Sequence, residues 1–255
     1  MTNEANPLDL SNRVVLITGG AQGIGEATAQ LCAARGAQVV IADVKQDVGE
    51  RAAAQIRENG GTADFFRTDV RDPVQVSALI DFTQQRHGRL DTLICAAGVL
   101  RLPYVQPEDF PLEEFAFSLD VNVIGPFLCA KYATPLLVDS KRGVIIIVAS
   151  GAGVIGASSS LGYGSSKGGA NGLGMTLGAH LSGRGVRVNV LCPGNIVTEM
   201  KLNVEIANAE RSGASVDEAL ATAHQNYGTP MGVARVIGFM ISDEADYVRG
   251  NVFTR

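Results

Sequence analysis

Tyr163 and Lys167 stand four residues apart, a spacing that puts a phenol and an ammonium on one face of a helix. Together they can act on one bound ligand, the phenol moving a proton and the ammonium holding negative charge nearby. Thirteen residues before the tyrosine, Ser150 follows the apolar run Gly143-Val-Ile-Ile-Ile-Val-Ala149. Such a run reads as a fully buried strand of a parallel sheet. Its carboxyl end is where open α/β sheets bind their ligands. By itself a Tyr-x-x-x-Lys spacing is also what a surface tyrosine and a solvated lysine would give.

Other residues have to position these three. Arg13-Val-Val-Leu-Ile-Thr18 is an apolar strand running directly into Thr18-Gly-Gly-Ala-Gln-Gly-Ile-Gly25, and Ile24 to Arg35 then reads as a helix closed by Gly36. Strand, glycine turn and helix in this order suit a pyrophosphate: glycine lets backbone approach, and the helix amino terminus offers free N–H groups and partial positive charge. Gln38-Val-Val-Ile-Ala-Asp43 is the next strand. Asp43 lies eighteen residues after Gly25, near the distance expected of a carboxylate on an adenosine ribose. That carboxylate would repel a 2′-phosphate, and the glycine stretch holds no Arg or Lys. NAD is therefore expected rather than NADP, the alternative for Asp43 being an acidic cap on the following helix.

These residues, in this order and with Asn122 between them, resemble the classical short-chain dehydrogenase/reductase family over about residues 10 to 255. The resemblance implies a single-domain Rossmann fold: an α/β, doubly wound parallel sheet of about seven strands with helices on both faces, one domain over 1–255. It implies catalysis by Asn122, Ser150, Tyr163 and Lys167, the asparagine holding a water that links Lys167 to solvent. It gives the cofactor Gly19, Gln22, Gly23, Ile24 and Gly25 at the glycine turn, with Asp43 on the ribose. Asp69 and Val70 flank the adenine, and Ala97 and Gly98 lie on the fourth strand's exit. Lys167 binds the nicotinamide ribose beside Tyr163, and Pro193, Gly194, Ile196 and Thr198 hold the carboxamide. In one place the chain departs: members usually carry Asn-Asn-Ala-Gly where this sequence has Cys95-Ala96-Ala97-Gly98.

The remaining segments follow in order. Lys45 to Asn59 reads as a helix, Thr62 to Val70 as the third strand, and Asp72-Pro73 as a helix start with Asp as cap and Pro in the first turn. Leu93 to Gly98 is the fourth strand. Leu112 to about Asp139 is a long helix expected to bend at Pro126. Asn122 inside it reads equally as a solvated polar position. The helix opening near Tyr163 contains Gly164, Gly168, Gly169, Gly172, Gly174 and Gly178, each costing about 1 kcal/mol relative to Ala. Close backbone packing must offset this, either on the sheet or against a second subunit. The resemblance implies the subunit, hence a dimer or tetramer. Gly185 to Gly194 is the sixth strand, residues 199 to about 228 a mobile substrate lid, Val233 to Ile241 the last helix, and Gly250 to Thr254 the last strand.

Composition narrows the classes. The 255 residues are 46% hydrophobic and carry a net charge of −5 with no basic run, which argues against nucleic acid. Cys32, Cys95, Cys129 and Cys192 have no metal-ligand spacing, nor do His87, His180 and His224, so no metal is expected. Residues 1–10 lack the apolar segment of a signal peptide, and no run of about 18 apolar residues marks a membrane span. A cytoplasmic protein is expected. Around Ser150 the small apolar Ala152, Gly153 and Val154 favour a neutral alcohol or ketone, cyclic or aromatic. Competing readings are an NADPH-dependent reductase of the acyl-carrier-protein type and a non-catalytic nucleotide sensor.

Overall fold

The computed structural model describes residues 8–254, so most of the segment read for a signal peptide, residues 1–7, lies outside the described residues. Seven strands form one parallel sheet in the order β3-β2-β1-β4-β5-β6-β7. In chain order these begin with β1 (Val14–Thr18), α1 (Gly23–Ala34), β2 (Gln38–Asp43), α2 (Gln46–Glu58), β3 (Thr62–Arg67), α3 (Pro73–His87) and β4 (Thr92–Cys95). There follow α4 (Leu112–Leu119), α5 (Gly125–Asp139), β5 (Gly143–Val148), α6 (Leu161–Leu181) and β6 (Val186–Cys192). The chain continues through α7 (Glu199–Ser212), α8 (Val216–Asn226), α9 (Pro230–Met240) and β7 (Gly250–Phe253).

Both sheet faces are covered, so the strands alternate between two apolar layers rather than between core and water. In β1, Val14 and Leu16 join the layer under α3, α5 and α6, whereas Val15 and Ile17 join the layer under α1, α2 and α9. The fold class matches the sequence reading. The order reverses between β1 and β4, both paired in parallel. The crevice outside their carboxyl ends is the ligand position of this architecture.

Several boundaries differ from expectation. β3 stops at Arg67 because Asp69 and Asp72 fold the chain into turns: Asp72 accepts the N–H of Val74 at 2.8 Å and caps α3. Thus Asp69 and Val70 sit in a loop, not a strand. β4 ends at Cys95, leaving Ala97 and Gly98 as loop. The long helix is interrupted at Asp120–Ile124, a π-helical turn that contains Asn122 and ends two residues before Pro126, which leaves the run without one backbone N–H. This helical run, 28 residues from Leu112 to Asp139, is the one among the described residues long and apolar enough to cross a membrane, and half of its most apolar 18-residue stretch is buried inside the fold.

Some glycines of α6 are accounted for within the chain. A Cβ on Gly174 would stand 2.3 Å from Val190 Cγ2 on β6, and one on Gly164 2.8 Å from Ser158. Gly172 faces open space. Close packing of the first two is therefore on the sheet and on the loop after β5, whereas nothing among the described residues requires glycine at 172. Cys95, in the place of the family's asparagine, is buried against Cys129 of α5, and that contact together with burial pushes its thiol up. A thiol–thiol contact stands where the family has an amide.

Candidate active site

A cleft of about 960 Å³ opens along the carboxyl ends of β1, β4, β5 and β6. It is lined by Gly19, Gln22, Gly23, Ile24, Gly25, Asp43, Asp69, Val70, Ala97, Gly98, Ser150, Tyr163, Lys167, Pro193, Gly194, Ile196 and Thr198. The structure thus brings together every residue the sequence reading assigned except Asn122, which stands behind the wall.

At one end the β1–α1 turn is shaped by its glycines. A Cβ on Gly25 would meet the carbonyl oxygen of Gly19 at 2.1 Å, so the turn closes only with glycine there. The first helical residue, Gly23, has a positive φ of 60°, and Gln22 supplies no side-chain cap. The first-turn N–H groups of α1 are left without a side-chain partner at the cleft, the arrangement that receives a phosphate. Asp43 closes β2 with its Oδ2 accepting the N–H of Ala21 at 3.2 Å and its Oδ1 accepting the N–H of Lys45 at 3.0 Å. It therefore supports both the glycine turn and the start of α2, and still faces the cleft. These features fit a dinucleotide laid across the switch point.

Asp69 is committed to Arg71, whose guanidinium grips both carboxylate oxygens at 2.6 to 3.1 Å and holds the carboxyl below its ordinary range. Its backbone N–H donates to Gln75 Oε1 at 2.9 Å, its carbonyl accepts the Asp72 N–H at 3.1 Å, and the neighbouring Val70 lines the cleft.

At the other end α6 carries the reacting groups. Ser160 caps it, accepting the Tyr163 N–H at 3.3 Å while donating to the Arg101 carbonyl at 2.7 Å. Lys167, only 5% exposed, donates to the Val148 carbonyl at 2.8 Å, and its Nζ lies 5.6 Å from the centroid of the Tyr163 ring. Burial brings the lysine down to about 8, opposed by the neighbouring Cys192. Burial raises Tyr163, because desolvation penalises the phenolate, and the hydrogen bond with Ser150 only partly counters this.

Asn122 has its whole amide engaged. Its Oδ1 accepts the Val99 N–H at 2.9 Å, and its Nδ2 donates to the Val99 carbonyl at 2.9 Å and to Ser166 Oγ at 2.8 Å. The side chain thereby ties the β4 exit to α6, one residue from Lys167. Gly98 is hemmed in by the same groups, since a Cβ would stand 3.3 Å from both Asn122 Oδ1 and Lys167 Nζ.

The segment 199–228 consists of two helices, α7 and α8. Its ends are pinned together: the Val197 N–H donates to the Gly228 carbonyl at 2.8 Å and the Gly228 N–H to Asn195 at 2.9 Å. Thr198 caps α7, accepting the Lys201 N–H at 3.3 Å. Tyr227 of the α8 end donates to Glu205 Oε1 of α7 at 2.9 Å, and burial with that carboxylate pushes the phenol up to about 12. Cleft residues the sequence reading missed include Tyr104, Phe117, Met200, Asn203 and Val204. They lie on the β4–α4 connection and on α4 and α7, where no motif marks them.

Among the described residues no cluster of His, Cys, Asp and Glu could hold a metal ion. Comparison with known proteins finds the family described as short chain dehydrogenase matching residues 13–209. "Tropinone reductase-like 1" of Erythroxylum coca is 37% identical over 256 residues, covering 98% of this chain and 91% of the relative. "(+)-Borneol dehydrogenase 2" of Salvia officinalis is 35% identical, with coverages of 96% and 88%. The crystal structure of levodione reductase superposes with a TM-score of 0.87 at 30% identity, covering 95% of each chain. The seven-stranded sheet is thus a shared plan, and the chain belongs to the short-chain dehydrogenase family.

Proposed function

We propose that the chain is an NAD-dependent oxidoreductase interconverting a neutral cyclic secondary alcohol and its ketone. The observation that carries this is the convergence of Ser150, Tyr163 and Lys167 on one end of a cleft whose other end presents Asp43. A bound nicotinamide supplies the hydride acceptor or donor. The chain's own part is proton transfer and positioning. The Tyr163 phenol oxygen takes the hydroxyl proton of the alcohol and returns it in reduction. Ser150, whose Oγ already accepts the Ala152 N–H at 3.1 Å, uses its own proton to hold the substrate oxygen. Lys167 has three donors and spends one on Val148, leaving the others for a ribose hydroxyl and for charge beside the phenol. Burial holds Tyr163 protonated on its own, so ionisation is deferred until positive charge arrives beside it. Asn122 acts by fixing Val99 and Ser166 rather than through its own side chain in the cleft.

NAD is favoured by the Asp43 carboxylate. Lys45 and Arg67 also line the cleft and would suit the 2′-phosphate of NADP, which keeps the acyl-carrier-protein type of reductase as a second reading. The Lys45 ammonium, though, already donates to Gln22 at 2.8 Å and pairs with Glu199 at 3.6 Å. A cyclic substrate is supported by the relatives, whose names include borneol and tropinone, both ring compounds. The exposed Ile124, Phe127, Leu161 and Met175 on the long helix and α6 support association of two or more copies, which sedimentation tests. NADH formation from a panel of cyclic secondary alcohols, with NAD and NADP side by side, tests the function. Turnover with NAD is expected, and preference for NADP would promote the second reading.

A further inference from the structure

The chain between β4 and α4 carries two non-glycine residues in the left-handed region, Leu102 (φ 50°) and Tyr104 (φ 65°), on either side of Pro103. Bulky residues adopt this conformation only when the surroundings impose it, and such strain gathers at ligand clamps. Here the surroundings are visible. The Tyr104 N–H donates to the Ser159 carbonyl at 2.6 Å, and the Arg101 carbonyl accepts from Ser160, so the loop is fastened to the segment that launches the Tyr163 helix. Held this way, Tyr104 lines the cleft and is half-buried.

Its ring reaches the opposite wall. The Arg211 guanidinium, in the last turn of α7, lies 4.8 Å from the Tyr104 centroid. The Tyr104 phenol is also near enough to Tyr227 to add to the upward push on that group, behind burial and Glu205. Early in the same helix, Met200, Asn203 and Val204 line the cleft. Tyr104 thus joins the fixed side of the substrate chamber, next to the Tyr163 helix, to the α7 side.

We propose that Tyr104 is the specificity-determining roof of the substrate chamber and that Arg211 latches it to α7, so that the closed chamber accepts compact neutral rings and rejects extended alcohols. The inference rests on the dehydrogenase reading of the cleft. The same cleft is lined by Ala152 and by Val204 of α7. On this proposal a compact ring enters with Tyr104 still held to Arg211, whereas a long chain must part them.

The test compares Arg211→Gln, Tyr104→Ala and Tyr104→Phe, using cyclohexanol and 2-octanol as probes. Arg211→Gln should raise KM for cyclohexanol about two- to fivefold with kcat unchanged, the range of a cation–π contact at an exposed site. It should also narrow the preference for cyclohexanol over 2-octanol. Tyr104→Ala should lose more, and Tyr104→Phe, which keeps the ring, should recover most of it. In parallel, hydrogen exchange of the α7 amides in the cofactor-free protein should quicken by the same factor in Arg211→Gln. Unchanged exchange together with an unchanged substrate preference would overturn the latch. If the wild-type protein turns over no alcohol, the dehydrogenase reading fails, and the exchange measurement alone still decides whether Arg211 holds α7 to the loop.

Discussion

Replacing Lys167 by Met should change how stability depends on pH. The lysine is buried, and its ammonium falls from 10.5 to about 8, which at about 1.4 kcal/mol per pH unit makes the buried charge cost about 3 kcal/mol below pH 8. The sign follows from proton counting. Between about 8 and 10.5 the unfolded chain binds the proton and the folded chain does not, so folded stability rises with pH across that window. Below it both states hold the proton and the full penalty remains. Tyr163 does not interfere, because burial raises it and keeps it protonated over most of the range. Methionine has a similar length and no charge, so titrating groups other than the neighbouring Cys192 cancel in the difference between the proteins. Urea unfolding of both, without cofactor, should show the wild type gaining about 2.5 kcal/mol on the variant between about pH 7 and pH 10. A difference that stays flat would refute the depressed lysine, and with it the account of why that ammonium is poised beside the phenol.

Asn122→Ala leaves the N–H and carbonyl of Val99 and the Ser166 hydroxyl without this partner, and should cost about 3 kcal/mol in urea unfolding. Gly153→Ala combines a φ of 79° with a Cβ placed 2.0 Å from the Gly164 carbonyl oxygen, so it should cost about 2 kcal/mol or more and lower kcat by moving the backbone beside Tyr163. Asp43→Ser removes the carboxylate facing a 2′-phosphate while Lys45 and Arg67 remain, and should shift the NADP-to-NAD ratio of kcat/KM by about tenfold or more. An unchanged ratio would show that Asp43 serves only the turn.

Much of this was legible because it rests on local rules. Apolar runs such as Val144 to Val148 fall in strands buried on both faces, and the glycine turn between β1 and α1 needs its residues for reasons a sequence displays. What escaped depends on contacts between distant segments. The bond from Asn122 in the Asp120–Ile124 turn across to Val99 joins segments far apart in the sequence. The fate of the α6 glycines depends on Val190 and Ser158, which sit on other elements. The raised Tyr163 depends on burial by residues far from it in the sequence. The two helices in the polar stretch after Thr198 are organised by the Glu205–Tyr227 bond and the Asn195–Gly228 pairing, contacts that composition does not display.

The central claim is that Tyr163 moves the proton in an alcohol–ketone interconversion. The most direct measurement is NADH formation from a cyclic secondary alcohol by wild-type protein and by Tyr163→Phe, with NADH affinity measured on both. The account predicts turnover by the wild type, its loss in the variant, and cofactor affinity unchanged within about twofold. Substantial turnover by Tyr163→Phe would contradict it.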